Sequence, residues 1–202
     1  MRPAQSLLAL ILCSLLLIGC SSSTTSPIIY YLINPETAAG NSQNPELVIE
    51  ILDLHLPQYL ERFQIVTRSE NNQLTFSDSH QWAENLRKNL MRVMSANLGT
   101  RLGTVDIGTP IRRTSSRVDY RVQIYLDTFE QQANGIVELK ARWQITDADK
   151  GNTLHTAQQT FSSSSVAAGN FSEVVSLMSA LYGDLGEAIA DDLTRLNEEP
   201  DR

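Results

Sequence analysis

The residues that could do chemistry are few. The 202-residue chain holds three histidines, His55, His80 and His155, and two thiols, Cys13 and Cys20. The histidines lie in separate stretches, without the His-Glu-x-x-His spacing that sets two imidazoles around a metal. No Gly-x-Ser-x-Gly elbow presents a serine nucleophile, and no glycine-rich loop offers a phosphate cradle. Asp191-Asp192 and Glu198-Glu199 are paired in sequence only, because neighbours on a helix point apart; a solvated helix end accounts for them. The serines at 162–165 read as a loop ahead of a helix cap. These patterns predict no catalytic residue, no metal site and no enzyme. The thiols remain to be explained.

Cys20 closes a stretch that begins Met1-Arg2 and runs almost without charge through Gly19, with an apolar block at 7–18. A positive start, a short apolar region and small residues at its end describe a secretory signal peptide, residues 1–19. The block is shorter than the about 20 apolar residues of a membrane-spanning helix. Leu17-Ile18-Gly19-Cys20 resembles a lipobox, in which the thiol forms a thioether to diacylglycerol and small neighbours let the peptidase approach. Cys20 is thus the expected lipidation site, with covalent diacylglycerol and an N-acyl chain and no other cofactor. Each buried methylene contributes about 0.8 kcal/mol, so one chain binds marginally and two or more anchor stably. Residues 20–27 form the tether. It spans at most about 25 Å when fully extended, which keeps the domain close to the bilayer. Ser21 stands where inner-membrane lipoproteins typically carry aspartate, and this predicts the periplasmic face of the outer membrane.

Loss of the signal removes Arg2 alone among the charges, leaving 15 Lys+Arg against 23 Asp+Glu, net −8. The densest basic spot is Arg112-Arg113 with Arg117, so no nucleic-acid partner is expected. Cys13 leaves with the signal, and a lipidated Cys20 leaves no thiol for a disulfide. The domain must then rely on its core, which is feasible for about 180 residues. One domain, 28–197, followed by a tail at 198–202, is predicted.

Residues 28–33 are a continuous β-prone run ended by Asn34-Pro35, the pattern of a buried strand. After a loop at 36–45, residues 47–54 form a second strand, stopped by Pro57. Residues 64–68 and 73–76 flank a hairpin turn at 69–72. A helix is expected over 78–99. Asp78 with Gln81 has capping-box form, Trp82, Leu86, Leu90, Val93, Met94 and Leu98 share a face, and Gly99 ends it. Glu84 and Lys88 make an i,i+4 pair on its solvent side. Residues 118–126 and 137–145 alternate apolar and polar as half-buried antiparallel strands. The more polar 152–162 completes a meander as an edge. Asn170 or Ser172 caps a last helix, whose stripe runs from Phe171 through Val174, Met178, Leu181, Leu185, Ile189 and Leu193 to Leu196. Gly183 and Gly186 weaken its middle. The expected fold is α+β: a two-layer sandwich of a mainly antiparallel sheet with two long helices packed on one face.

Leu56-Pro57-Gln58-Tyr59-Leu60-Glu61-Arg62-Phe63-Gln64-Ile65-Val66-Thr67-Arg68 does not read as one element. It is either a turn between strands with Leu60 and Ile65 in the core, or an exposed Tyr-Leu patch for a partner. The two roles can coexist. As partner-binding candidates it offers Leu56, Pro57, Tyr59, Leu60 and Arg62. The same stretch resembles the ABC-type transport auxiliary lipoproteins of the PqiC/YmbA type, whose pattern is close to L-P-x-Y-L-D-R-P-Q-I-V-x-R. Leu56, Pro57, Tyr59, Leu60, Arg62, Gln64, Ile65, Val66 and Arg68 match, Glu61 replaces Asp and Phe63 replaces the second Pro. The Tyr30-Tyr31-Leu32 start, Trp82-Ala83-Glu84-Asn85-Leu86 and the Tyr120, Phe129 and Trp143 pattern fit the same family.

The resemblance implies a lipoprotein of a PqiABC-type system, in which a tunnel of MCE domains crosses the periplasm and phospholipid moves between membranes. The implied partner is a PqiB-like MCE protein. Two functions follow as expectations: a self-associating docking lipoprotein that receives the tunnel at the outer membrane, or a lipid carrier with its own cavity between helices and sheet.

Overall fold

The computed structural model describes residues 27–35, 44–112 and 117–198. The expected signal peptide, Cys20, the tether up to Ser26 and the tail after Glu198 lie outside the described residues. Among the described residues, eight strands form one sheet: β1 (Ile29–Tyr31), β2 (Ile49–His55), β3 (Gln64–Arg68), β4 (Leu74–Trp82), β5 (Ile107–Gly108), β6 (Tyr120–Gln131), β7 (Ile136–Asp147) and β8 (Thr153–Ser165). The helices α1 (Leu86–Leu102) and α2 (Phe171–Glu198) pack against each other and against the sheet.

The meander β6–β7–β8 is antiparallel and forms the longest ladders of the sheet. Alternation in sequence became alternation of faces: Val122, Ile124, Val137, Leu139, Ala141, Trp143 and Ile145 are buried, and the residues between them are not. β8 pairs with β7 alone, so it is an edge. Residues 162–165, expected as a loop, are the end of this strand. The serines there continue the ladder, with Ser162 opposite Glu138 and Ser165 opposite Ile136.

The other side of β6 is shared. β2 runs parallel to its first half, from Ile49 opposite Tyr120 to His55 opposite Tyr125, and β3 meets its far end, with Thr67 opposite Gln131. The sheet forks there. β4 and then β1 extend outward from β3, while β5 extends from β2. The sheet is therefore mixed: its hairpins are antiparallel, and the strands joined through crossovers are parallel.

Two local expectations are corrected. Residues 28–33 were expected as a buried strand; β1 is three residues long and lies at an exposed edge, because it pairs only with β4. The first helix begins at Leu86 and not at Asp78. Residues 74–82 are held in β4 by β3 on one side and β1 on the other, so the capping-box spacing of Asp78 and Gln81 falls inside a strand. The true N-cap is Asn85, whose side chain accepts the Lys88 backbone N–H at 3.1 Å. Glu84, just outside the helix, pairs with Arg92 instead of Lys88. The helix also runs past Gly99 to Leu102. It stops at Gly103, whose φ of 68° is left-handed and whose N–H reaches the Gly99 carbonyl.

At α2, Asn170 is the cap: its Oδ1 accepts the Glu173 N–H at 3.4 Å, and its Nδ2 donates to the Glu173 carboxylate at 2.6 Å. The apolar stripe packs inward, with Val174, Met178, Leu181, Leu185, Ile189 and Leu193 buried. Tyr182 is also fully buried, and its hydroxyl donates to the Leu90 carbonyl of α1 at 3.1 Å. Gly186 lets the two helices approach, since a Cβ there would stand 3.1 Å from Asn97 Cβ. Between the layers lie Ile51, Leu54, Val122, Ile124, Leu126 and Phe129 from the sheet, with Leu90, Val93, Met94 and Leu98 from α1. Full burial of each such aliphatic side chain contributes about 1.5–3 kcal/mol. No helix among the described residues is long and apolar enough to cross a membrane.

Candidate functional site

The stretch 56–68 occupies the fork of the sheet. β2 leaves β6 after His55, the chain makes a detour, and β3 rejoins β6 at Thr67. The detour is a 3-10 turn, Gln58–Glu61, started by Pro57 at φ −56° and closed by the Leu60 N–H donating to the Pro57 carbonyl at 2.9 Å. Proline suits that place because its fixed φ favours a turn and its missing N–H is not needed there. Leu60 enters the core at 3% exposure, Leu56 packs partly against it, and Ile65 and Val66 are buried in β3.

A carboxylate sits under the turn. Phe129 faces α2, its ring 5.9 Å from Tyr182, so its neighbour Glu130 points to the opposite side of the strand. Glu130 is completely buried. An ionised carboxylate tolerates that position only with its oxygens fully bonded and a cation close by. Both conditions are met, and the signature stretch 56–68 supplies the cation and a hydroxyl. Arg68 Nε and Nη2 donate to Oε1 at 2.9 and 2.7 Å. The Tyr59 hydroxyl and the Phe129 backbone N–H donate to Oε2 at 3.0 and 2.9 Å. The Arg68 guanidinium also lies 5.9 Å from the Tyr59 ring centre. Burial, with the Glu130 charge beside it, pushes the Tyr59 hydroxyl well above the usual tyrosine value, so it stays a donor. The hydrogen bond to Glu130 raises the Arg68 pKa further, against the opposing effect of burial.

The outer side of the turn differs in character. Glu61 pairs with Arg87 of α1. Arg62 is exposed, its guanidinium 4.7 Å over the Phe76 ring. Phe63 is 57% exposed, and its carbonyl accepts the Trp82 N–H at 2.7 Å. Gln58, Tyr59, Glu61, Arg62 and Phe76 line a shallow groove on the surface. The structure thus divides the five candidates. Leu60 and Leu56 are support, Tyr59 is spent largely on Glu130, and Pro57 and Arg62 border solvent.

The histidines do not meet. His55 stacks on Tyr125 at 4.5 Å with Asp53 at 3.3 Å. His80 stacks on Phe171 at 4.1 Å. His155 lies 3.1 Å from Asp192. Asp192, expected at a solvated helix end, is buried; it accepts the Trp143 indole N–H at 2.8 Å and pairs with Arg195, and so ties α2 to β7 and β8. Among the described residues no three His, Cys, Asp or Glu side chains converge as a metal site. Sequence reasoning missed Glu130 and Asp192. The signal for Glu130 was the break in alternation, in which the apolar positions pass from the even Leu126 to the odd Phe129; in the structure Phe129, Glu130 and Gln131 are all buried.

The chain is a two-layer α+β domain whose most distinctive polar cluster locks a turn over a shallow surface groove. The chain belongs to the family of ABC-type transport auxiliary lipoprotein components, whose model matches residues 30–190. Comparison with curated proteins finds no match. Among solved structures, a DUF330 family protein from Xanthomonas campestris superposes with a TM-score of 0.68 at 11% identity, over 86% of this chain and 100% of that one. The crystal structure of an uncharacterized protein superposes with a TM-score of 0.64 at 17% identity, over 83% of this chain and 99% of that one. At these identities the likeness is one of fold. The family is one of transport auxiliary lipoproteins rather than of enzymes, and it implies a membrane-anchored chain with a transporter partner.

Proposed function

We propose that this protein is lipidated at Cys20, hangs from the periplasmic face of the outer membrane, and docks the end of the tunnel formed by a PqiB-like MCE protein in a PqiABC-type intermembrane lipid transport system. The family match over residues 30–190 carries the proposal. Ser21 supports the outer membrane as destination, and the short tether keeps the domain near it. The docking surface is the outer side of the signature turn, Pro57, Tyr59 and Arg62, with Leu56 and Leu60 beneath as its support. A rigid turn loses little conformational freedom on binding, which favours affinity. Pull-down of the native membrane complex tests this. The MCE protein co-purifies with the wild-type chain and is lost when the folded domain is deleted behind an intact Cys20 anchor; retention without the domain would refute docking.

A lipid carrier needs a cavity between helices and sheet, and that layer is filled by the side chains of Ile51, Leu54, Leu126, Leu90 and Met94. An apolar groove exists elsewhere, on the outer side of α1 against β5, lined by Met91, Ala96, Ile107 and Ile111 with Lys88 and Arg112 at its rim. A carrier would use that groove, and native mass spectrometry of mildly purified protein would find phospholipid bound one to one.

A further inference from the structure

Four apolar side chains stand in water where the chain enters the domain. Ile28, Ile29, Tyr30 and Leu32 are 44, 48, 59 and 37% exposed. They lie in and beside β1, whose outer edge pairs with no other strand among those described. The run is nevertheless firmly held. Tyr31 is in register with Trp82, and its carbonyl accepts the Ala83 N–H at 2.9 Å. Ile33, two residues on, is fully buried. The Asn89 side chain of α1 grips its backbone twice, accepting the Ile33 N–H at 2.8 Å and donating to the Ile33 carbonyl at 3.0 Å. The Asn34 N–H reaches Ser179 of α2 at 3.2 Å. No charged residue occurs between Pro27 and Pro35, in a molecule that is otherwise acidic.

Ile28, Tyr30 and Leu32 alternate onto one side of the run, and a rigidly supported apolar surface of this kind marks an interaction site. The position of the tether indicates its occupant. Cys20 precedes Pro27 by seven residues, a reach of at most about 25 Å. The patch is thus the part of the domain nearest along the chain to the acyl groups. Resting on the anchor proposed above, we infer that Ile28, Tyr30 and Leu32 lie against the lipid headgroup–acyl boundary, with the exposed Ile29 at the strand's free edge, and hold the domain in one orientation on the membrane. The chemistry suits that depth. Aliphatic side chains partition into the boundary, and tyrosine favours it because its ring is apolar and its hydroxyl stays hydrated. The acyl chains supply affinity, and the second contact fixes direction. α1 starts close after Trp82 and ends just before Val105, which is completely exposed. Its 17 residues separate the two ends by about 25 Å.

The test uses the full lipidated protein in vesicles of phosphatidylethanolamine and phosphatidylglycerol doped with brominated phosphatidylcholine. Indoles are introduced singly as Tyr30→Trp and Val105→Trp, and the emission of wild-type protein, from Trp82 and Trp143, is subtracted. The Tyr30→Trp indole should lose about half or more of its emission to the bromolipid, and the Val105→Trp indole should lose little. Equal, weak quenching at both positions would overturn the inference, whether the indole at position 30 is open to acrylamide or shielded from it by another protein. Incorporation of labelled palmitate at Cys20 reads the anchor separately. Labelled protein with an unquenched position 30 refutes the inference and leaves the anchor standing. Unlabelled protein with a quenched position 30 removes the anchor and keeps the membrane contact, and unlabelled, unquenched protein refutes both.

Discussion

Glu130 decides what the signature residues are for. Its two carboxylate oxygens take four donors, two from Arg68 and one each from Tyr59 and the Phe129 backbone, and its own side chain is fully buried. Removing Arg68 would leave a buried charge without its cation. Arg68→Met should therefore cost about 3 kcal/mol, the lower end of the range for broken buried pairs because Arg68 is itself partly exposed. A fall in the denaturant midpoint with unchanged slope measures it. Tyr59→Phe removes one hydrogen bond to a charged acceptor and should cost about 1.5 kcal/mol at neutral pH. The sign of its pH dependence follows from the shift. Folding raises the Tyr59 pKa above its ordinary 10.0, so the folded state holds that proton more tightly than the unfolded state. The stabilisation is complete below that pH and fades as the pH rises through and beyond it. The stability difference between wild type and Tyr59→Phe should then shrink in alkaline urea titrations; a constant gap would mean that the hydroxyl does not donate to Glu130. The buried Tyr182 shifts in the same direction and is present in both proteins, so it cancels in the comparison.

The elements show which patterns speak from sequence. The meander was legible because β6 and β7 each bury one face, and a period of two survives whatever lies around it; β8, which holds no fully buried residue, was legible from the turn residues before it. The stripe of α2 was legible for the same reason at helical period. β4 was not. Its Ser77-Asp78-Ser79-His80 centre has no alternation to read, and it is a strand because β1 and β3 hold it on both sides. The motif was recognisable, but its structural task was not, because Glu130 is 62 residues from Arg68 and 71 from Tyr59 and only the fork brings them together. Helix contacts carry their own prediction. Gly186→Val crowds Asn97, whose Cβ would be 3.1 Å from the added Cβ alone, and overpacking of this kind costs about 1–3 kcal/mol. A lowered midpoint of thermal unfolding checks it. Asn89→Ala removes both holds on Ile33 and should cost about 2 kcal/mol. It should also speed amide exchange across residues 28–34 while leaving the meander protected. Uniform loss of protection would show that the grip is not local.

At the scale of the whole molecule, the parts divide between holding and meeting. The helices and the meander make a closed core, the fork is locked by Glu130, and the surfaces left over include the outer side of the turn, the apolar entry strand and the groove of α1 against β5. Such a division suits a lipoprotein that works through contacts. On the anchor proposed at Cys20, Cys20→Ser should move the protein from the membrane to the soluble fraction, because the acyl chains supply the affinity. The central proposal, that the signature turn docks the transporter partner, is tested most directly by a photoreactive residue placed at Arg62 in cells, with the same residue at Val105 as control. The predicted result is capture of the MCE protein from position 62 and not from position 105. Capture from 105 alone, or from neither site in protein shown to be folded and anchored, would contradict it.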